Sequence, residues 1–377
     1  MKTILTKIPI SVLAVIGLIS CDLPQAKPPP DLFRKIHLAR VGQGPGYLAS
    51  GDLDLDGFPD IISCNSKGHS LSILWGKGDG TFEDPQTQTT GLEPSFAMIT
   101  DVNQDEVPDL IFNSRGSDAV LVQLGRGKRQ FLKPVRIPTG KVPLAIIPGN
   151  FNEDDALDLA VTLTFNKVQI FLGVGDGSFK QGDTYQTGSR SLSGVASDFD
   201  RDGHTDLALA VSSSTTSSIR LYSGSGEGTF KQVKRIALNL RPLILIQKDM
   251  NGDGTEDLVF STAIQDNLYA MMVKADGTFE EPEAFSGGGG PISLVAEDFD
   301  GDHKPDVAVA NSRSSSFSLI TRTREGGFYF PTRDYVTGST PLALTSSDFN
   351  QDGKMDIAVS SNTDGTVEVY LNQRGLR

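Results

Sequence analysis

Asp198-Phe199-Asp200-Arg201-Asp202-Gly203-His204-Thr205-Asp206 carries acidic side chains at positions one, three, five and nine, with glycine at six. The string and variants of it occur six more times. Before it stand Asp52-Leu-Asp54-Leu-Asp56-Gly57-Phe58-Pro-Asp60, Asp101-Val-Asn103-Gln-Asp105-Glu106-Val107-Pro-Asp109 and Asn150-Phe-Asn152-Glu-Asp154-Asp155-Ala156-Leu-Asp158. After it come Asp249-Met-Asn251-Gly-Asp253-Gly254-Thr255-Glu-Asp257, Asp298-Phe-Asp300-Gly-Asp302-His303-Lys304-Pro-Asp306 and Asp348-Phe-Asn350-Gln-Asp352-Gly353-Lys354-Met-Asp356. Their first residues lie 49, 49, 48, 51, 49 and 50 positions apart. A period of that length marks a chain built from repeated supersecondary units.

Four short strand-like stretches accompany each copy. Around the fourth, Leu192–Ala196 leads into the acidic string and Leu207–Val211 leaves it. Ile219–Tyr222 follows a Ser/Thr-rich turn, and Val233–Leu238 follows the glycine-rich Gly224–Phe230. β-Branched and aromatic residues dominate, with no long helical period between them. Four strands per repeat describe one propeller blade, so the expected fold is all-β, a seven-bladed β-propeller of four-stranded blades. A parallel β-helix is the alternative, but its coils are much shorter than this period.

An aromatic residue sets the register. Phe82, Phe131, Phe179, Phe230 and Phe279 each precede the next acidic string by 19 residues, Phe328 does so by 20, and Phe33 precedes Asp52 by 19. The seventh repeat stops after its third stretch, Val367–Leu371. Phe33–Val41 is therefore expected to supply the missing outer strand of the last blade and close the ring. The propeller domain is expected to span residues 33–377.

The chain has 377 residues, 34 Lys+Arg against 47 Asp+Glu, and a formal charge of -13. That balance argues against a nucleic-acid partner, which needs a basic footprint. Hydrophobic residues at 38% suffice for a core, and 40 Gly with 20 Pro suit a chain of many turns. Two cysteines cannot make a disulfide framework.

The glycine-rich turn Gly76–Phe82 recurs at Gly173–Phe179 and Gly224–Phe230, with weaker versions at Gly125–Phe131, Ala275–Phe279 and Arg324–Phe328. Turn and acidic string together resemble the FG-GAP/VCBS repeat family, the propeller type also seen at the head of integrin α subunits. The resemblance runs from Phe33 to the end. Kelch repeats have a similar period, but their double-glycine and paired-aromatic signature is missing.

Side-chain oxygens at positions one, three, five and nine, with a backbone carbonyl at seven, suit Ca²⁺, a hard cation that takes six to eight oxygens. The position-seven carbonyls belong to Phe58, Val107, Ala156, His204, Thr255, Lys304 and Lys354. An EF-hand would carry Glu at position twelve; here that position is Ser63, Phe112, Val161, Leu209, Phe260, Val309 and Val359. The sites are thus strand–loop–strand, and up to seven Ca²⁺ are expected as structural staples. Loops one, four, five and seven match fully. Loop six has His303 at the turn, loop two has Glu106, and loop three keeps only two ligand carboxylates beside Asp155. The seven loops hold 23 ligand carboxylates, which repel one another at short range unless cations intervene.

Residues 1–20 read as a secretory signal, with Lys2 and Lys7 ahead of the apolar Ile8–Ile19. Leu18-Ile19-Ser20-Cys21 resembles the lipobox of bacterial lipoproteins, which implies lipidation of Cys21 and a membrane-anchored, extracytoplasmic protein of the cell envelope. Residues 21–32, with Pro24, Pro28, Pro29 and Pro30, read as a semi-rigid tether of roughly 30 Å.

No nucleophile elbow, Walker loop or zinc spacing is present, and the four His residues form no repeated constellation. Cys64 and Trp75 read as blade packing. The expectation is a non-enzymatic scaffold for a protein or glycan. The alternative is a calcium-containing polysaccharide lyase or hydrolase with its site opposite the calcium loops. In a propeller the first and third inter-strand loops of each blade share one face. The other face collects Lys67, Arg115, Lys141, Lys167, Arg190, Arg241 and Arg313, and suits an anionic or hydroxyl-rich ligand.

Overall fold

The second strand of every blade begins at the last aspartate of an acidic string. Asp60–Asn65, Asp109–Ser114, Asp158–Leu163, Asp257–Thr262, Asp306–Asn311 and Asp356–Ser361 are buried at every residue, and Asp206–Ser212 at all but the last. Such near-continuous apolar runs form strands covered on both faces. The computed structural model describes residues 31–274, 276–323, 326–328 and 332–375, and over these the chain is a ring of seven four-stranded antiparallel sheets.

Blade four shows the plan: Arg190–Ser197, Asp206–Ser212, Ser217–Gly224 and Phe230–Leu238 run in sequence order from the axis outward. Proline opens the first strand in five blades, at Pro45, Pro143, Pro242, Pro291 and Pro341, a strand position that tolerates its missing N–H. The first strands of all seven blades line an axial cavity of about 580 Å³ whose walls carry no charged side chain. Outer strands such as Phe230–Leu238 are mostly exposed.

The core is not one mass but seven clusters, each built from the facing sides of two adjacent blades. Ile219 and Leu221 of blade four, for example, pack with Leu245, Leu258 and Phe260 of blade five. Blades seven and one meet in the same way, through Phe349, Ala358 and Val369 against Leu48, Ile61 and Leu74.

The ring closes as the repeat arithmetic expects. Phe33–Arg40 pairs antiparallel with Thr366–Asn372, from Phe33 opposite Asn372 to Arg40 opposite Thr366. The Phe33 ring lies 5.6 Å from Phe299, 5.7 Å from Phe317 and 5.5 Å from Tyr335. Leu32, at the end of the expected tether, is already buried; its N–H donates to Tyr335 Oη at 2.9 Å and its carbonyl accepts from Gln373. The expected signal segment, Cys21 and most of the tether lie outside the described residues, as do Ala275 and Arg324 of the weaker glycine turns.

Candidate metal loops

Each acidic string forms the loop between the first and second strands of its blade, and each glycine-rich turn joins the third and fourth. Both therefore lie on one face of the ring.

Position nine is the best-buried acidic group of each loop, and its two oxygens tie the blade together. Asp60 accepts from Leu53 N–H at 2.9 Å within the loop and from Gly76 N–H at 2.8 Å after the third strand. Asp109, Asp158, Asp206, Asp257 and Asp356 repeat the bridge, with Val102 and Gly125, Phe151 and Gly173, Phe199 and Gly224, Met250 and Val273, and Phe349 and Asn372. Asp306 accepts from Phe299, Asp300 and Arg322. Burial outweighs these bonds. It pushes Asp206 and Asp257 up to about 6, Asp60 and Asp356 to about 7, and Asp306 to about 8, with nearby loop carboxylates adding to the shift. Buried carboxylates so placed favour a neighbouring cation.

Positions one and five shape the loop. Asp198 accepts from the N–H groups of Asp202 at 3.1 Å and Gly203 at 3.0 Å, and Asp202 accepts from His204 N–H at 2.9 Å. The position-five bond to the position-seven N–H recurs at Phe58, Val107, Ala156, Thr255, Lys304 and Lys354. Position four was not singled out from sequence, yet all seven of its residues have positive φ, from 58° at Gln351 to 80° at Gly252. Leu55 adopts 64° there. In four of the loops the position-four side chain also reaches the next loop. Gln104 Nε2 donates to Asp155 O at 3.0 Å, Gln351 Nε2 to Gly57 O at 2.7 Å, and Glu153 meets His204 Nδ1 at 2.5 Å. Arg201 reaches Thr255 and lies 3.6 Å from Asp253.

Carboxylate convergence follows the residue at position three. Ligand oxygens converge to within 4.8 Å of one another in three carboxylate groups, Asp52/Asp54/Asp60, Asp198/Asp200/Asp206 and Asp298/Asp300/Asp302. Loop six thus joins loops one and four, while loops five and seven do not form such a triad. The turn residue does not discriminate, because His303, Glu106 and Asp155 reach φ values of 66°, 65° and 63°. Position three does: only loops one, four and six have Asp there, and the others have Asn. The Asn loops show a different sign of fit. Asn103 Oδ1, Asn150 Oδ1 and Asn152 Oδ1 are buried acceptors without a hydrogen-bond partner, all at ligand positions. An orphaned acceptor in a carboxylate loop suits a cation. These loops can hold metal ions.

On the opposite face, Lys141 pairs with Asp118 at 2.6 Å, Arg313 pairs with Asp266, and Lys67 Nζ donates to Asn362 at 3.3 Å. Arg115, Lys167, Arg190 and Arg241 pair with no carboxylate among the described residues. Phe165 is 66% exposed in the turn before Lys167, and Ile264 is 65% exposed in the corresponding turn of blade five.

No curated protein matches this sequence. Among solved structures, the chain is similar to BBS1N in a crystal structure with ARL6DN soaked with lead, at TM-score 0.65 and 12% identity, covering 91% of this chain and 98% of that one. It is also similar to a protein from Lactobacillus plantarum, at TM-score 0.58 and 17% identity, covering 81% and 88%. At such identities the likeness is one of fold. The FG-GAP-like repeat signature matches residues 52–99, 150–209, 249–309 and 298–359. Together these cover more than half of the sequence, and the chain belongs to the FG-GAP-like repeat family.

Proposed function

We propose that this propeller is a calcium-stapled, non-enzymatic binding scaffold, held to a membrane by a lipid on Cys21 and facing an extracytoplasmic partner. The observation that carries the binding reading is the division of labour between faces. One is filled by acidic loops and glycine turns; the other presents Arg115, Lys167, Arg190 and Arg241, which have no carboxylate partner among the described residues, beside exposed Phe165 and Ile264. On a chain of net charge -13, cations left unpaired on one face attract an anionic partner. An acidic protein segment or an acidic glycan fits. The similar BBS1N propeller is seen with a protein partner, ARL6DN.

The anchor agrees with this orientation. Phe33 starts the closing strand opposite Asn372, whose N–H donates to the loop-seven carboxylate Asp356 at 2.8 Å. The chain therefore enters the ring at the acidic-loop face. A lipid anchor upstream of Leu32 would then approach from that side, opposite the cationic face.

Calcium is the cation preferred over magnesium because the loops offer several oxygens in a flexible arrangement rather than a rigid octahedron. Asp200, Asp54 and Asp300 would hold it, and it would supply charge neutralisation and cross-linking of the loop.

The test is a glycan array and surface-protein capture with the purified protein, followed by Arg190→Glu with Arg241→Glu. Binding should weaken and lose its salt sensitivity while calcium-dependent melting is unchanged. Binding that survives this change but fails on altering Gly76–Phe82 would place the partner on the acidic-loop face.

A further inference from the structure

In loop one, an arginine from the neighbouring blade contacts two ligand carboxylates at once. The loop's own position-four residue, Leu55, is apolar and 55% exposed. Instead Arg129 of blade two reaches back across the blade boundary. Its Nε lies 2.5 Å from Asp54 Oδ2, its Nη2 3.6 Å from Asp56 Oδ2, and its Nη1 3.0 Å from Glu83 Oε1. The guanidinium sits over the Trp75 ring, 4.8 Å from the centroid. Two of the four ligand carboxylates of this loop are thus engaged by one planar cation, which suits forked carboxylate contacts and aromatic stacking at once.

The internal repeats show that Arg129 is a departure. In the turns Gly76–Phe82, Gly173–Phe179 and Gly224–Phe230 the corresponding residues are Gly80, Gly177 and Gly228, with φ of 81°, 84° and 76°. Arg129 holds φ 63° at that place, a conformation unfavourable for an L side chain. A residue that tolerates this backbone and is held by four neighbouring groups has a local role.

We propose that Arg129 is the built-in cation of loop one, and that a calcium ion enters this loop only by displacing it. Loop one, with four ligand carboxylates, is then a weaker or later-filling site than loop four, which has the same four. The inference rests on the calcium reading of the other loops.

Trp75 is the only tryptophan in the chain and lies against this loop, so tryptophan-sensitised terbium emission reports loop one. Terbium stands in for calcium. In the unaltered protein the emission should appear only at high terbium, whereas Arg129→Gln should lower the half-saturating concentration roughly tenfold or more, by removing both a competing pair and a repelling charge. Arg129→Gly, which restores the residue of the sister repeats, should do the same. Equal terbium titrations for the unaltered and Arg129→Gln proteins overturn the proposal. So does emission that survives adding Asp52→Ala and Asp54→Ala to Arg129→Gln, since the ion is then elsewhere. Absence of emission from Arg129→Gln also overturns it. Calcium-dependent melting of the same sample, reporting the remaining loops, shows whether the calcium reading falls too.

Discussion

At the scale of single residues, position nine separates from position three. Asp356 is fully buried and bridges Phe349 N–H to Asn372 N–H, whereas Asp200 accepts the N–H of Asp202 within its own loop. Asp356→Asn turns an amide NH₂ toward one of two backbone donors. It should therefore cost about 1–3 kcal/mol even in excess chelator, the penalty for an unsatisfied buried group. Asp200→Asn should be nearly silent in chelator and should reduce only the calcium-dependent part of stability. Paired melting curves with and without calcium decide this. Parallel losses for the two variants in chelator would contradict the bridging role. Sequence alone showed position nine as Asp in all seven repeats, even in loop three, which loses carboxylates at one and three. That persistence was the available signal for a duty beyond metal binding.

Between elements, the glycine turn of one blade docks under the acidic loop of the blade before it. Gly228 N–H donates to Phe151 O at 2.7 Å and Gly80 N–H to Phe349 O at 3.0 Å. Phe230 stacks edge-on to Phe151 at 5.2 Å, and Phe82 to Phe349 at 5.5 Å. The 19-residue offset between each Phe and the following acidic string thus hides a contact with the string of the preceding blade. Phe230→Ala should destabilise by about 3–5 kcal/mol, as aromatic truncations in cores do. It should also weaken the cation affinity of loop three, not that of its own blade's loop four. Isothermal titration of Phe230→Ala combined with Asn152→Ala would reveal the wrong partner if loop four were the one affected.

Over the whole molecule, closure and charge govern stability. Removing residues 33–41 takes Phe33 out of its aromatic cluster and leaves the outer edge of the third strand of blade seven unpaired. That truncation should melt well below the parent, while removal of residues 22–30 should leave melting unchanged. Equal melting of the two would reject the ring seal. The buried aspartates add a pH dependence. With folded-state values of about 6 to about 8 against an ordinary 3.8, the native state holds more protons than the unfolded one. Their contribution is fully present below the ordinary value and is lost as pH rises through the folded values. In chelator the melting temperature should fall between pH of about 4 and 8. Calcium favours the charged form and should shrink or reverse the fall. At a hundredfold excess over Kd each site adds about 2.7 kcal/mol. Scanning calorimetry across that range checks both statements, and a flat profile in chelator would count against them.

Periodicity by itself determined the blade count, the four-strand plan, the acidic loops and the closing strand. Each follows from spacing along the chain, and the missing fourth stretch after Val367–Leu371 could be answered only by Phe33–Val41. What the spacing could not carry was contact across blade boundaries. Arg129 is 75 residues from Asp54, Phe230 meets a loop it follows rather than precedes, and Gln351 reaches Gly57 from the other end of the chain. That the backbone places His303 and Glu106 at positive φ as readily as glycine also waited for the tertiary structure, as did the convergence of carboxylate oxygens in loops one, four and six. A ring brings distant residues together by closing on itself, and only the closed ring decides which side chain faces which loop.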